Sequence, residues 1–246
     1  MIIPALDLID SKVVRLYQGN YNQQRKYNKG PLDYLHSYKL QGAEILHLVD
    51  LNGARNPIKR QISFLKKLMY NIDLPVQIGG GIRNFDAITT MLDIKNISRV
   101  VIGSAAIKHP QEVKIWFKNF GSDSIVLALD VRVDSNNRKE VAINGWQKAS
   151  SITLEEVIGW YQSVGLKHIL CTDIVRDGTL QGANVALYKE ISEKFPDIMF
   201  QASGGISSLA DIAALRYSGV QSVIVGRALL ENQFTLSEAI ECWQKE

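Results

Sequence analysis

Cysteine is scarce in this chain of 246 residues: Cys171 and Cys242 are far apart and belong to no CxxC or Cys/His cluster. They are expected to be buried thiols of a reducing compartment. Long apolar runs are also missing, none approaching the roughly 18 residues of a membrane span. The start, Met1-Ile2-Ile3-Pro4-Ala5-Leu6-Asp7, already carries a charge at its seventh residue. Neither signal peptide nor membrane helix is expected, and a cytoplasmic location follows. Charge of one sign is lacking too: 28 Lys and Arg against 25 Asp and Glu leave a net +3, scattered along the chain. That argues against a nucleic-acid or membrane surface; the expected partner is a small molecule, and a monomer is expected. No GxGxxG follows the first strand, no nucleophile elbow is present, and no lysine lies near the C-terminal end of a strand. The four histidines, His36, His47, His109 and His168, pair with no Ser or Cys. His47 is the one near a strand end, and its expected role is that of a hydrogen-bonded core residue.

What is present is a rhythm. Short apolar runs recur at Ile2–Leu6, Glu44–Val49, Val76–Ile78, Ser98–Ile102, Ile125–Leu129, His168–Thr172, Ile198–Ala202 and Ser222–Val225. Helical spacing fills the gaps, as in Lys59–Met69, Asp86–Leu92, Leu154–Tyr161, Val185–Phe195 and Leu209–Tyr217. Eight uniformly apolar strands alternating with helices predict a parallel sheet covered on both faces. The length suits a TIM (β/α)₈ barrel of about 250 residues, read as one domain over residues 1–246. An open Rossmann-type sheet is the structural competitor.

The chain also repeats itself. Asp7 in Ala-Leu-Asp recurs as Asp130 in Ala-Leu-Asp, and Asp50 recurs as Asp173 at the same interval. Ile102-Gly103 recurs as Val225-Gly226 at that interval, and Gly80-Gly81-Ile82 as Gly204-Gly205-Ile206 one residue further on. Four landmarks in order predict a barrel of two related (β/α)₄ halves. Three long connections, Asp10–Gly30, Val131–Ser151 and Asp173–Ala183, all follow strands, which places them on the face where barrel chemistry occurs. The first reads as a lid loop with Gly19 and Gly30 as hinges. The second reads as a small hairpin, Val131–Asp134 against Lys139–Ile143.

Two kinds of residue carry chemistry. Gly79-Gly80-Gly81 and Gly103-Ser104 follow the third and fourth strands, and Ser203-Gly204-Gly205 and Gly226-Arg227 follow the seventh and eighth. Glycine turns that open onto helix N-termini bring backbone N–H groups to an anion. Two such sites across one mouth predict a substrate with a phosphate at each end; tight turns alone are the simpler reading. Asp7 and Asp130 end opposite strands and are the acid/base candidates, with Asp177 in Arg176-Asp177-Gly178 as a third. Divalent-metal binding, or pairing with Arg15 or Arg132, competes with that role; no metal-ligand spacing supports the first, so no metal or cofactor is expected. Trp146 is placed to stack on a heterocycle. Arg83 is placed to contact phosphate or order the lids, or else to be a solvated helix-start arginine.

With these residues assembled, the chain resembles the histidine-biosynthesis isomerases that act on phosphoribosylformimino-aminoimidazole-carboxamide ribonucleotide. The resemblance runs from Ile2–Leu8 through Val13-Val14-Arg15-Leu16, His47–Leu51, Gly79–Arg83, Leu127–Arg132 and Gly145-Trp146 to Thr172–Thr179, Ser203–Ile206 and Val225–Leu229. It implies an Amadori rearrangement without a cofactor, aminoaldose to aminoketose. It implies Asp7 as the base, Asp130 as a second catalytic carboxylate, Trp146 stacked on the imidazole carboxamide, and Arg83 and Asp177 engaged in the closed complex. Arg15, Gly19 and Gly178 join the substrate-binding set with the glycine turns. Whether Asp130 or Asp177 is the acid stays open. Two departures are minor: the Lys95-Asn96 region looks one residue longer than usual, and Asn20 stands where Asp is expected. The sister cyclase usually has Cys at the position of Ala5 and Lys at that of Arg15. A variant also isomerising phosphoribosylanthranilate, and a non-catalytic phosphosugar-binding barrel, are the other competitors.

Overall fold

A computed structural model describes every residue except Gln18, Asn144, Gly145, Gln147 and Glu246. Twelve strands follow in chain order: β1 (Ile2–Ile9), β2 (Lys12–Tyr17), β3 (Asn20–Lys26), β4 (Leu46–Asp50), β5 (Val76–Gly79), β6 (Ile97–Ile102), β7 (Ile125–Val133), β8 (Lys139–Ile143), β9 (Lys148–Thr153), β10 (His168–Asp173), β11 (Met199–Ser203) and β12 (Ser222–Val225). Eight of them pair in parallel, in the order β1-β4-β5-β6-β7-β10-β11-β12, and β12 returns to β1. This is a closed TIM (β/α)₈ barrel. All eight predicted strands are present, displaced by a few residues at their ends.

Alternation along each strand divides the core into two layers. Leu6, Leu48, Ile78, Leu127, Ile169 and Phe200 face outward and are covered by helices. Ile3, Ala5, Ile45, Val101, Val126, Leu170 and Ile224 fill the barrel. The covering helices present matched apolar stripes, such as Leu65, Leu68 and Met69 of Ile62–Tyr70 and Val157, Ile158 and Tyr161 of Leu154–Tyr161. Several start on side-chain caps: Asn84 accepts from the Ala87 N–H, and Thr153 and Ser208 form capping boxes with Glu156 and Asp211. Each cap satisfies donors that the first turn leaves orphaned.

Two barrel strands outrun the others, and they lie opposite each other. β1 turns at Asp10 and Ser11, both with positive φ, and returns antiparallel as β2 with Asp7 beside Val14. β2 then pairs with β3. β7 returns as β8 with Val133 beside Lys139, and β8 pairs with β9. The predicted hairpin in the second long connection is therefore present, extended by a third strand. The first connection, read as a lid loop, is instead a second hairpin. Its alternation was hidden because β3 is polar on both faces: six of its seven residues are exposed. Gly19 takes φ 72° at its tip, while Gly30 caps the helix Pro31–Leu40 in extended backbone.

Candidate active site

The strand-end aspartates fall into two groups. Asp50 accepts from the Gly53 N–H at 3.1 Å, the Gln61 N–H at 2.9 Å and the Gln61 amide at 2.9 Å. Asp173 accepts from the Val175 N–H at 3.0 Å and from the Asn184 amide at 2.7 Å. Both carboxylates are consumed in holding the loop that follows their own strand. Asp7 and Asp130 end the inner rows of the opposite strands β1 and β7, one step above Ala5 and Ala128, and face the mouth.

One guanidinium organises this mouth. Arg15, on β2, donates Nη1–H to Asp7 at 2.9 Å and Nη2–H to both oxygens of Asp177 at 2.6 and 2.5 Å. The β1–β2 hairpin thus bends an arginine back over the strand end it came from and ties it to the loop after β10. Burial raises the Asp7 carboxyl above its ordinary range, against the pull of Arg15, and the Asp177 charge adds to the rise. A pair removed from water in this way is costly to break, because the surviving charge has no partner. Replacing Arg15 with Met should cost about 3 kcal/mol at pH 8. Asp7 would then lose the contact that lowers it. A carboxyl raised in the folded state contributes stability below its unfolded pKa and loses it as pH rises, so the deficit should shrink on acidification. Urea unfolding at pH 8 and pH 5 measures it; equal deficits at both would refute the argument.

Asp130 has a different neighbourhood. The indole N–H of Trp146 and the hydroxyl of Thr172 donate to it, and burial pushes its carboxyl up to about 6. Thr172, beside Asp130 in the β7–β10 register, was not among the predicted site residues, although it ends a predicted strand and opens the motif Thr172–Thr179. Trp146 lies over the mouth and packs on the hairpin opposite: a Cβ on Gly19 would come within 3.0 Å of its ring. Asn144 and Gly145, which precede Trp146 in the motif, are outside the described residues.

The glycine turns are packed closely against the loops that precede them. A Cβ on Gly80 would lie 2.2 Å from the Asp50 carbonyl, and one on Gly204 would lie 2.6 Å from the Asp173 carbonyl. A Cβ on Gly81 or Gly205 would lie 1.9 or 2.3 Å from the carbonyl of Gly53 or Gly182. All four have positive φ. Gly103 and Gly226 have more room, with a Cβ meeting nothing closer than 3.9 Å. Ser104 and Gly226 open short helices at Ala105–Lys108 and Arg227–Leu230. The Ser203 backbone N–H already donates to the Tyr188 hydroxyl at 3.1 Å.

The remaining predicted residues are engaged by protein. Arg83 is exposed and donates to the Ala54 carbonyl at 2.9 Å, fastening the loop after β4. Arg227 pairs with Glu231 at 2.8 Å and donates to the Gly178 carbonyl, while Arg25 of β3 reaches the same Glu231 at 2.8 Å. A cleft of about 120 Å³ between Arg15, Arg25, Gly178 and Arg227 marks where the hairpin, the β10 loop and the β12 turn meet. Glu231 escaped notice because it lies four residues beyond the recognisable turn.

The histidine biosynthesis protein family matches residues 1–235 of the chain. The chain belongs to that family. Three proteins similar to it are each named 1-(5-phosphoribosyl)-5-((5-phosphoribosylamino)methylideneamino)imidazole-4-carboxamide isomerase. They come from Proteus mirabilis (61% identical), Erwinia tasmaniensis (60%) and an Enterobacter strain (59%), each over 244 residues and 99% of both chains. Membership in the histidine biosynthesis family thus extends across the whole barrel, both hairpins included.

Proposed function

We infer that the chain catalyses the isomerisation its relatives are named for, opening an N-linked phosphoribosyl aminoaldose into the aminoketose during histidine biosynthesis. The observation that carries this reading is the pair of unlike carboxyls on opposite strands of one mouth. Asp7 is held by a cation, whereas Asp130 is buried against an indole and a hydroxyl. Two carboxyls whose surroundings separate their proton affinities can divide acid and base work.

Asp130 is the acid in this reading. A carboxyl near 6 is protonated in about one molecule in ten at pH 7, and it donates to the ribose ring oxygen. The C1′–O bond breaks as the nitrogen lone pair forms C1′=N⁺. Asp7 then takes the C2′ proton. The C–H electrons form C1′=C2′ and return the C=N⁺ pair to nitrogen. The resulting enolamine becomes the ketone as the C2′ hydroxyl gives up its proton, the oxygen forms C2′=O, and the C1′=C2′ electrons take a proton at C1′. Asp177 steadies Arg15 and the substrate hydroxyls. The two glycine turns, with Gly103, Ser104, Gly226 and Arg227, receive the two phosphates of the substrate. We propose that the halves descend from one (β/α)₄ unit, a reading supported by the shared clamp of Gly80 on Asp50 and Gly204 on Asp173.

Single-turnover conversion of the aminoaldose tests the assignment. Asp130→Asn should be slower by about a hundredfold or more, within the range general acids supply. Its kcat/KM should also lose the decline above pH about 6 expected of wild type. Asp177→Asn should bind more weakly yet keep that pH limb. An Asp130→Asn enzyme at wild-type rate, with Asp177→Asn lacking the limb, would transfer the acid role to Asp177.

A further inference from the structure

One step below the catalytic level, the barrel axis is not apolar. Gln77 of β5 and Gln201 of β11 reach across it from opposite strands. Each donates to the other: Gln77 Nε2–H to Gln201 Oε1 at 2.7 Å, and Gln201 Nε2–H to Gln77 Oε1 at 3.0 Å. Both are almost wholly buried, at 0% and 3% exposure. Buried amides need every hydrogen bond met, because an unmet one costs about 1–3 kcal/mol. The mutual pair uses one N–H of each amide and leaves each a second, that of Gln77 lying beside His47. That hydrogen goes to Nδ1 of His47, at 2.9 Å.

The consequence concerns His47. An Nδ1 that accepts a hydrogen bond carries no proton, so in the neutral ring the proton is on Nε2. Burial first, and the Arg15 charge second, bring the imidazole down to about 4, which keeps it neutral. His47 is beside Ala5 in the β1–β4 register, one inward-facing residue below Asp7. Its Nε2 forms no hydrogen bond with the described residues, and it is not among the buried polar atoms left unpaired. The glutamine pair is two-fold in form, but the lock is one-sided: the position matching His47 in the second half is Leu170.

We propose that the Gln77–Gln201 pair is a tautomer lock that positions His47 as a neutral Nε2–H donor toward a substrate oxygen at the floor of the mouth. A neutral donor can hold a ribose hydroxyl without adding a second cation next to Arg15, which would compete for Asp7. Gln77 and Gln201 act through His47 and are positioning residues. The role in turnover rests on the isomerase reading; the tautomer does not.

Histidine-labelled ¹⁵N spectra of the full chain test the lock directly. Wild type should show His47 neutral at pH 7, with Nε2 protonated and Nδ1 bare. Gln77→Glu replaces the donor with an acceptor of the same shape, and the proton should move to Nδ1. The same variant should lose about tenfold in kcat/KM, the worth of one N–H donor. The doubly substituted Gln77→Met, Gln201→Met barrel buries no charge and should release the ring into a tautomer mixture with a similar loss. A wild-type Nδ1–H tautomer would overturn the lock. A tautomer shift in either variant with kcat/KM unchanged would overturn its role in turnover. A wild-type chain without isomerase activity would instead defeat the function above while leaving the spectra to judge the lock.

Discussion

Asp7→Asn should lower kcat about a thousandfold while leaving KM within a factor of about three. Asn is the informative replacement because its carbonyl oxygen can still accept from Arg15 Nη1, now 2.9 Å from the carboxylate. What disappears is the ability to take a proton, and positioned bases typically supply about 10²–10⁴ in rate. Binding should survive, since in the proposed function the phosphates are held elsewhere in the mouth. Burial raises the Asp7 carboxyl in the folded state. Its ionisation therefore costs stability that grows as pH rises above the unfolded value. The variant should accordingly gain relative to wild type between pH 4 and pH 8. Activity loss with equal or better stability at pH 8 separates a missing base from a damaged fold. Substrate deuterated at C2′ sharpens the test: wild type should release label to water or move it to C1′, and Asp7→Asn should do neither. A rate within tenfold of wild type would remove Asp7 from proton transfer.

The barrel was legible because parallel strands buried on both faces leave uninterrupted apolar runs, and because the glycine turns recur in order. The β1–β3 hairpin was not, since a strand that projects beyond the barrel needs no apolar face. Asp7 and Asp130 could be found as ends of matching strands. Their divergence could be read only in part: Arg15 lies eight residues from Asp7 and could be named as its partner, but its tie to Asp177 and the approach of Thr172 to Asp130 join residues distant in sequence. Glu231 and the Gln77–Gln201 pair are long-range partners of the same kind. Glutamine in an apolar strand gives no sign of its mate until the barrel closes.

Repetition therefore has unequal value as evidence. Asp50 and Asp173 repeat as faithfully as Asp7 and Asp130, yet both of the former are spent on loop amides. The glycines raise the same question, and Gly81→Ala answers it with the largest stability effect expected in the chain. Gly81 has φ 69°, where an L side chain costs on the order of 1 kcal/mol or more. The added Cβ would lie 1.9 Å from the Gly53 carbonyl oxygen and 2.5 Å from its carbon. These are backbone atoms that no rotamer change can move. The Gly53 N–H is itself pinned to Asp50, so relief requires the loop after β4 to leave the strand end. We expect a loss of about 4 kcal/mol or more, the range reserved for failures of backbone or core. Gly205→Ala should behave alike, meeting the Gly182 carbonyl at 2.3 Å. Gly103→Ala is the control: with 3.9 Å of clearance, it should unfold within a few tenths of a kcal/mol of wild type and raise KM by crowding a phosphate. Urea denaturation of the three, with KM for Gly103→Ala, decides between packing and binding. If Gly81→Ala unfolds like wild type and loses only affinity, the turn serves the phosphate alone. If it loses stability as expected, the same glycine both seals the strand end and shapes the phosphate turn.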